Sequence, residues 1–177
     1  MKMIVAIVVC LVAGFINAAA QQTSDRQKQD TQASSAMCPM HDAHSQMNER
    51  GEKAMGFSQS ATTHHFFLKA DGGVIQVEAK DPTDAANRDE IRMHLGHIAR
   101  AFQNGDFNIP MVVHDTVPPG VPEMKRLQKE IRYAFDESAS GGRVVISSTD
   151  KDAVAAIRSF LRFQIEEHKT GDATELR

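Results

Sequence analysis

The chain has 177 residues, a length typical of one compact domain with short extensions. Its 20 basic and 23 acidic side chains give a net charge of -3, and no Lys/Arg-rich run occurs, which argues against a nucleic-acid-binding surface. A hydrophobic content of 41% with 24% charged residues favours a folded core over wholesale disorder. Aromatic residues are few, whereas nine Met and eight His are present, and both residue types can ligate soft or borderline metal ions.

The first twenty residues have the pattern of a secretory signal peptide. Lys2 supplies a positive start, an apolar run covers 4–16, and three alanines at 18–20 form a cleavage sequence. The run is shorter than the roughly 20 apolar residues that a membrane-spanning helix needs. We therefore expect cleavage after Ala20 and a periplasmic or secreted protein with no stable membrane anchor.

Cleavage would leave Cys38 as the one cysteine of the mature chain, because Cys10 lies within the signal. A single cysteine cannot form an intramolecular disulfide. Its thiol must therefore stay free, pair with another chain or bind a metal ion, and its sequence neighbours favour metal binding.

The remaining chain divides into three predicted parts. Residues 21–36 are polar and predict a flexible leader, 37–62 a metal-binding segment with a linker, and 63–177 the folded domain. Within this domain the pattern indicates strands at 64–70 and 74–79, followed by a helix that ends near Gln103. The second half indicates strands at 131–137 and 143–147, and then a helix that ends near Lys169.

The two predicted helices also align in sequence. Ile91-Arg92 and Leu95 recur as Ile157-Arg158 and Leu161, and an Asp follows each Ile after fifteen residues. This internal repeat predicts two ββα units. Their hairpins would form a four-stranded antiparallel sheet with both helices on one face, which is an α+β two-layer sandwich. The connection at 107–130 is long enough to suggest a functional loop, and Pro122 is expected to open a short helix there.

The strongest functional signal is the segment 37–47, which we call the Met/Cys/His tract. Six of its eleven residues are potential soft or borderline ligands, namely Met37, Cys38, Met40, His41, His44 and Met47. Thiolate and thioether sulfur favour Cu(I), and imidazole is also accepted, so copper is the expected ion and zinc is a second possibility. If Pro39 opens a helix, most of these side chains share one face. The alternative is a helix that uses Met for packing, with histidines exposed by accident.

Within the tract, Cys38-Pro39-Met40-His41 resembles the Cys-Pro-Met-His signature of heavy-metal-binding segments in bacterial copper and silver efflux systems. Such segments occur on periplasmic adaptor proteins and at the N-termini of copper-pumping ATPases. The resemblance implies that Cys38, Met40 and His41 are metal ligands, although Asp42 stands where a Pro usually follows. Other stretches, including 62–66 and 160–164, resemble a group of small exported bacterial proteins, and that resemblance implies no mechanism.

Two histidine pairs are further candidates. His94 and His97 are spaced to share a metal ion on one helix, and the repeat places Phe160 and Phe163 at the equivalent positions. The alternative is a hydrogen-bonded pair at the edge of the core. Of His64 and His65, only one can face the helices, because adjacent strand residues point to opposite faces. His168 aligns with Phe102 and is interpreted as structural.

These observations lead to three functional hypotheses. The first is an exported protein that buffers, delivers or detoxifies Cu(I), with a copper efflux or chaperone protein as a conceivable partner. The second is a non-enzymatic interaction or small-molecule-binding module in which the tract is incidental. The third is a metal-dependent enzyme that uses His94 and His97 with His64 or His65, and it is the weakest because no pattern singles out a catalytic acid, base or nucleophile. The sequence specifies no oligomeric state.

Overall fold

The computed structural model describes residues 39–176, with side chains described from residue 45 onward. The predicted signal peptide, the leader at 21–36, and the candidate ligands Met37 and Cys38 lie outside the described residues. The chain divides after Asp42, and the folded unit begins at Ala43. The described helices and strands are α1 Pro39–Met55, β1 Thr62–Lys69, β2 Gly72–Ala79, α2 Ala85–Gln103, α3 Asn108–His114, α4 Val121–Arg126, β3 Arg132–Glu137, β4 Gly141–Ser147 and α5 Lys151–His168.

The four strands form one antiparallel sheet in the order β1-β2-β4-β3. Two hairpins are joined through β2 and β4, where Ile75 pairs with Val144. Alternate residues such as Phe66, Ile75 and Val144 point into one hydrophobic core, while the other face carries polar residues such as Gln76 and Arg143. The α+β fold class predicted from the repeat is confirmed.

The helix of each ββα unit packs mainly on the hairpin of the other unit. Helix α2 lies over β3 and β4, and helix α5 lies over β1 and β2. Ile91 and Leu95 on α2 and Ile157 and Leu161 on α5 are all fully buried in the shared core. The sequence repeat therefore corresponds to equivalent core positions, and the two ββα units share one hydrophobic core.

Aspartates start both long helices. The Asp84 carboxylate accepts a hydrogen bond from the Asn87 N–H at 3.0 Å. The Asp150 carboxylate accepts from Asp152 N–H and Ala153 N–H, both at 2.9 Å. These side chains satisfy backbone donors that the first turn of a helix leaves unpaired. Helix α5 ends one residue before the predicted Lys169, which itself turns the chain with a φ of 51°.

Helix α1 is longer than the sequence analysis suggested. The expected linker after Met47 is helical as far as Met55, and Met47 is buried with 4% of its surface exposed. The Nε–H of Arg50 donates to the Val113 carbonyl at 3.0 Å and ties α1 to α3. None of the helices in the described part of the chain is long and apolar enough to cross a membrane.

Candidate functional site

A cavity of about 80 Å³ lies between the sheet and helices α2, α3 and α5. Four of the eight histidines of the chain line it, and we call it the histidine cavity. They are His64 on β1, His94 on α2, His114 at the end of α3 and His168 at the end of α5. Gln164 and Met55 also line it, and most of the remaining wall is aliphatic or aromatic. This space exceeds the roughly 10–15 Å³ that one ordered water molecule needs, so the cavity can hold water or a small ligand.

The alternation of strand β1 places His64 in this cavity. Thr62 and Phe66, two residues before and after His64, are buried on the side of the helices. His65 points the other way, and its Nδ1 lies 3.0 Å from the Asp172 carboxylate. The expectation that only one histidine of this pair faces the helices is therefore confirmed.

The His168 ring contacts two other histidine rings. Its centroid is 6.1 Å from that of His64, with the two rings nearly parallel, and 5.0 Å from that of His114, with the rings nearly perpendicular. Phe57 similarly contacts two of the four histidines, with its centroid 6.0 Å from that of His64 and 5.6 Å from that of His94. All four imidazoles are thus held in one aromatic network rather than scattered around the wall.

Hydrogen bonding leaves several buried polar atoms of this wall without a partner. His114 Nε2 lies 3.0 Å from Gln164 Oε1, and this contact pairs one nitrogen of the ring. His114 Nδ1, Gln164 Nε2 and His64 Nε2 have no hydrogen-bond partner within the described part of the chain. The side chain of His114 is only 1% exposed, so bulk water does not compensate for the missing partner. Buried polar groups are normally hydrogen-bonded, so three orphaned atoms around one cavity indicate a place where a ligand or ordered water binds.

Burial makes these imidazoles poor bases. Burial, with a smaller contribution from the charge of His94, lowers the pKa of His64 to about 4. Burial, with a smaller contribution from His97, lowers the pKa of His94 to about 4. Burial also lowers the pKa of His114, although the hydrogen bond to Gln164 and the charge of Glu167 act in the opposite direction. These three rings are therefore neutral at pH 7, the state in which imidazole binds metal ions.

The residues predicted as metal ligands are distributed as follows. Met40, His41 and His44 lie on the backbone of α1, which begins at Pro39, and their side chains are not among those described. His94 lines the histidine cavity, whereas His97, one turn later on α2, is exposed. As the side chains stand, no three His, Cys, Asp or Glu residues in the described part of the chain are arranged around one ion.

Sequence reasoning did not identify three residues of the cavity wall as site residues, namely His114, Gln164 and His168. The internal repeat carried a usable signal for His168. Aligning Gly72-Gly73 with Gly141-Gly142 matches His64 with Tyr133. Aligning the two long helices matches His168 with Phe102. The Phe102 and Tyr133 rings have centroids 5.8 Å apart, close to the 6.1 Å between His64 and His168. One half of the molecule thus carries an aromatic pair where the other carries a histidine pair.

No protein-family model matches the chain, and neither a curated protein nor a solved structure does so.

Proposed function

We propose that the protein is an exported metal-binding protein that buffers, delivers or detoxifies Cu(I). The observation that carries the proposal is the density of soft donors in the Met/Cys/His tract, where six of eleven residues are Met, Cys or His. Thiolate and thioether sulfur select Cu(I) over harder divalent ions. The resemblance of Cys38-Pro39-Met40-His41 to the metal-binding segments of copper efflux systems supports the same ion.

The helical start at Pro39 is compatible with this proposal. Met40, His44 and Met47 are spaced by four and three residues along α1, so their positions share one face of the helix. Met47 is buried, so its substitution would disturb packing as well as remove sulfur. Cys38, Met40 and His41 are therefore the better residues to change in a test of metal binding.

The test is a competition titration of the mature chain against a Cu(I) chelator under anaerobic conditions. The triple variant Cys38→Ser, Met40→Leu and His41→Gln should lose one tightly bound Cu(I) per chain. A matched control is Met93→Leu, which removes the sulfur of an exposed Met on α2 and should bind Cu(I) like the parent. A triple variant with the affinity and stoichiometry of the parent would exclude the tract as the copper site.

The second candidate is a small-molecule-binding module, and the histidine cavity is the observation that favours it. An apolar cavity wall with a few converging polar groups is typical of ligand sites. Its volume of about 80 Å³ limits such a ligand to a few non-hydrogen atoms, since pockets for drug-sized molecules have roughly 300–1,000 Å³. A domain of this kind would bind its ligand equally well in the triple variant.

A further inference from the structure

We propose that His114, His168 and Glu167 form a binding site for one divalent borderline metal ion such as Zn(II), beside the histidine cavity and separate from the Met/Cys/His tract. The site goes beyond the proposed Cu(I) function because it uses nitrogen and oxygen donors of the folded domain. Helix α5 supplies Glu167 and His168 from its last turn, and α3 supplies His114 as its last residue.

The contact with Gln164 prepares His114 as a ligand. The Gln164 Oε1 atom can only accept, so His114 Nε2 at 3.0 Å carries the hydrogen and Nδ1 carries the lone pair. Histidines that bind metal ions commonly donate their second ring N–H to an oxygen in this way, which fixes the tautomer and the ring orientation. His114 Nδ1 is the buried ring atom that has no partner within the described residues.

Glu167 and His168 are near enough to complete a site around this atom. Glu167 Oε2 lies 3.9 Å from His114 Nδ1, which is too long for a hydrogen bond. Two donors that share one tetrahedral zinc ion lie about 3.4 Å apart when each is about 2.1 Å from the metal. The Glu167 side chain is 48% exposed, so its carboxylate can move the short distance from 3.9 Å to about 3.4 Å. The His168 ring centroid is 5.0 Å from that of His114, so rotation of this ring is the larger adjustment required.

The local electrostatics favour a cation on balance. Burial keeps the His114 imidazole neutral, Glu167 adds a negative charge, and the C-terminus of α5 contributes the negative end of the helix dipole. Arg50 is the opposing charge that acts on His114. His64, whose ring is stacked on that of His168 with the centroids 6.1 Å apart, is the candidate for a fourth ligand. A single carboxylate with two or three imidazoles matches a donor set that proteins use for zinc.

The experiment is a Zn(II) titration of the Cys38→Ser, Met40→Leu, His41→Gln variant, in which the tract is disabled. One Zn(II) per chain should bind, and Glu167→Gln and His168→Phe should each weaken binding at least tenfold. Phe is chosen because the repeat has Phe102 at the equivalent position of α2, where it packs in the same core. Matched controls are Glu166→Gln, the exposed neighbour, and His97→Phe, which copies the repeat residue Phe163 at an exposed position. Both controls should bind Zn(II) like the parent of the series.

The outcomes separate this site from the other proposals. Ring-nitrogen NMR shifts confined to His114, His168 and His64 on Zn(II) addition would support it even if His168→Phe were unstable. No Zn(II) binding by the tract-disabled chain, or equal binding by Glu167→Gln and Glu166→Gln, would overturn it. In that case the orphaned atoms meet ordered water or a small neutral ligand instead. Because the assay uses Zn(II) and lacks the tract, its failure leaves the Cu(I) test unaffected.

Discussion

Arg92 and Arg158 make the same contact at opposite ends of the sheet. The Arg92 guanidinium on α2 donates to the carbonyls of Ser138 at 2.6 Å and Gly141 at 3.2 Å, in the β3–β4 turn. The Arg158 guanidinium on α5 donates to the carbonyls of Lys69 at 2.9 and 3.1 Å and Ala70 at 2.6 Å, in the β1–β2 turn. Each helix therefore binds the hairpin turn of the other ββα unit. The hydrogen bonds that fix each turn come from the opposite unit.

This reciprocal arrangement predicts cooperative unfolding. Arg92→Ala should lower the free energy of unfolding by about 1–3 kcal/mol, the range for hydrogen bonds that involve a charged group. Arg158→Ala should cost less, because its contacts are more exposed. In denaturant titrations followed by circular dichroism, both variants should retain a single transition with the parental slope. Two separate transitions would show that the units fold independently.

The repeat also predicts matched losses in the core. Leu95 and Leu161 are 1% and 0% exposed and occupy equivalent positions on α2 and α5. Leu95→Ala and Leu161→Ala should each cost about 2–5 kcal/mol, as is usual for a buried leucine. Leu176→Ala is the control, because Leu176 is an exposed residue near the C-terminus. A denaturant midpoint that stays at the parental value for either core variant would contradict the equivalence.

The sequence predicted the sheet and the two long helices because their local signals agree with the tertiary structure. Alternation in 74–79, the turn glycines and the helical spacing of Ile91 and Leu95 all indicate the observed elements. Helix α3 lies in the connection at 107–130, where the sequence predicts a helix only from Pro122. Pro110 and the β-branched Val112-Val113 disfavour helix locally. Burial of Pro110 and Val113 in the fold outweighs that preference.

The histidine cavity was harder to predict because long-range pairing creates it. His64 and His168 are about a hundred residues apart, and only the packing of α5 over β1 brings their rings together. The repeat indicates that His94 stands where the other unit has an aromatic residue. It does not indicate that α2 and α5 each pack on the hairpin of the other unit. The sequence thus indicates which histidines stand at unusual positions. The tertiary packing of the helices on the sheet determines that they line one cavity.

The lowered pKa of His64 predicts a loss of stability in acid. Its pKa is about 4 in the folded chain, against about 6.5 when unfolded. Between pH 6.5 and 4 the unfolded chain therefore binds a proton that the folded chain does not. Stability is unaffected above this window and falls within it by up to about 1.4 kcal/mol per pH unit for this group. His64→Phe should make the decline shallower in thermal melts at several pH values. His97→Phe should change it less, because His97 makes only the smaller contribution to the lowered pKa of His94. Equal slopes for all three chains would contradict the prediction.

Asp172 closes the outer edge of strand β1. Its carboxylate accepts from the Phe66 N–H at 2.9 Å and lies 3.0 Å from His65 Nδ1. Burial raises the pKa of Asp172, but hydrogen bonds from Phe66, Thr170 and His65 outweigh this effect and leave the pKa below its usual value. The stabilisation is therefore present above about pH 4 and is lost as the carboxylate is protonated in stronger acid.

Asp172→Ala should cost about 1–2 kcal/mol at pH 7 and expose an unpaired N–H on an edge strand, where pairing with another chain becomes possible. The repeat equivalent, Asp106, is a fitting control because its carboxylate instead accepts from the Asn108 N–H at 2.9 Å, at the start of α3. Light scattering during mild heating should detect association for Asp172→Ala and not for Asp106→Ala. Similar behaviour of the two variants would mean that edge protection does not depend on Asp172.

Cys38 provides a direct test of the proposed copper site. A cysteine that binds metal is a thiolate, so Cu(I) binding must release a proton, and the apparent affinity should rise with pH toward the usual thiol pKa of about 8.5. Cys38→Ser should weaken Cu(I) binding and flatten this pH dependence, because thioethers do not titrate. Saturating Cu(I) should also slow the reaction of Cys38 with a thiol-alkylating reagent, measured by mass spectrometry, whereas Mg²⁺ at the same concentration should not. If the alkylation rate is the same with and without Cu(I), the thiol is not a ligand and the resemblance at Cys38-Pro39-Met40-His41 is coincidental.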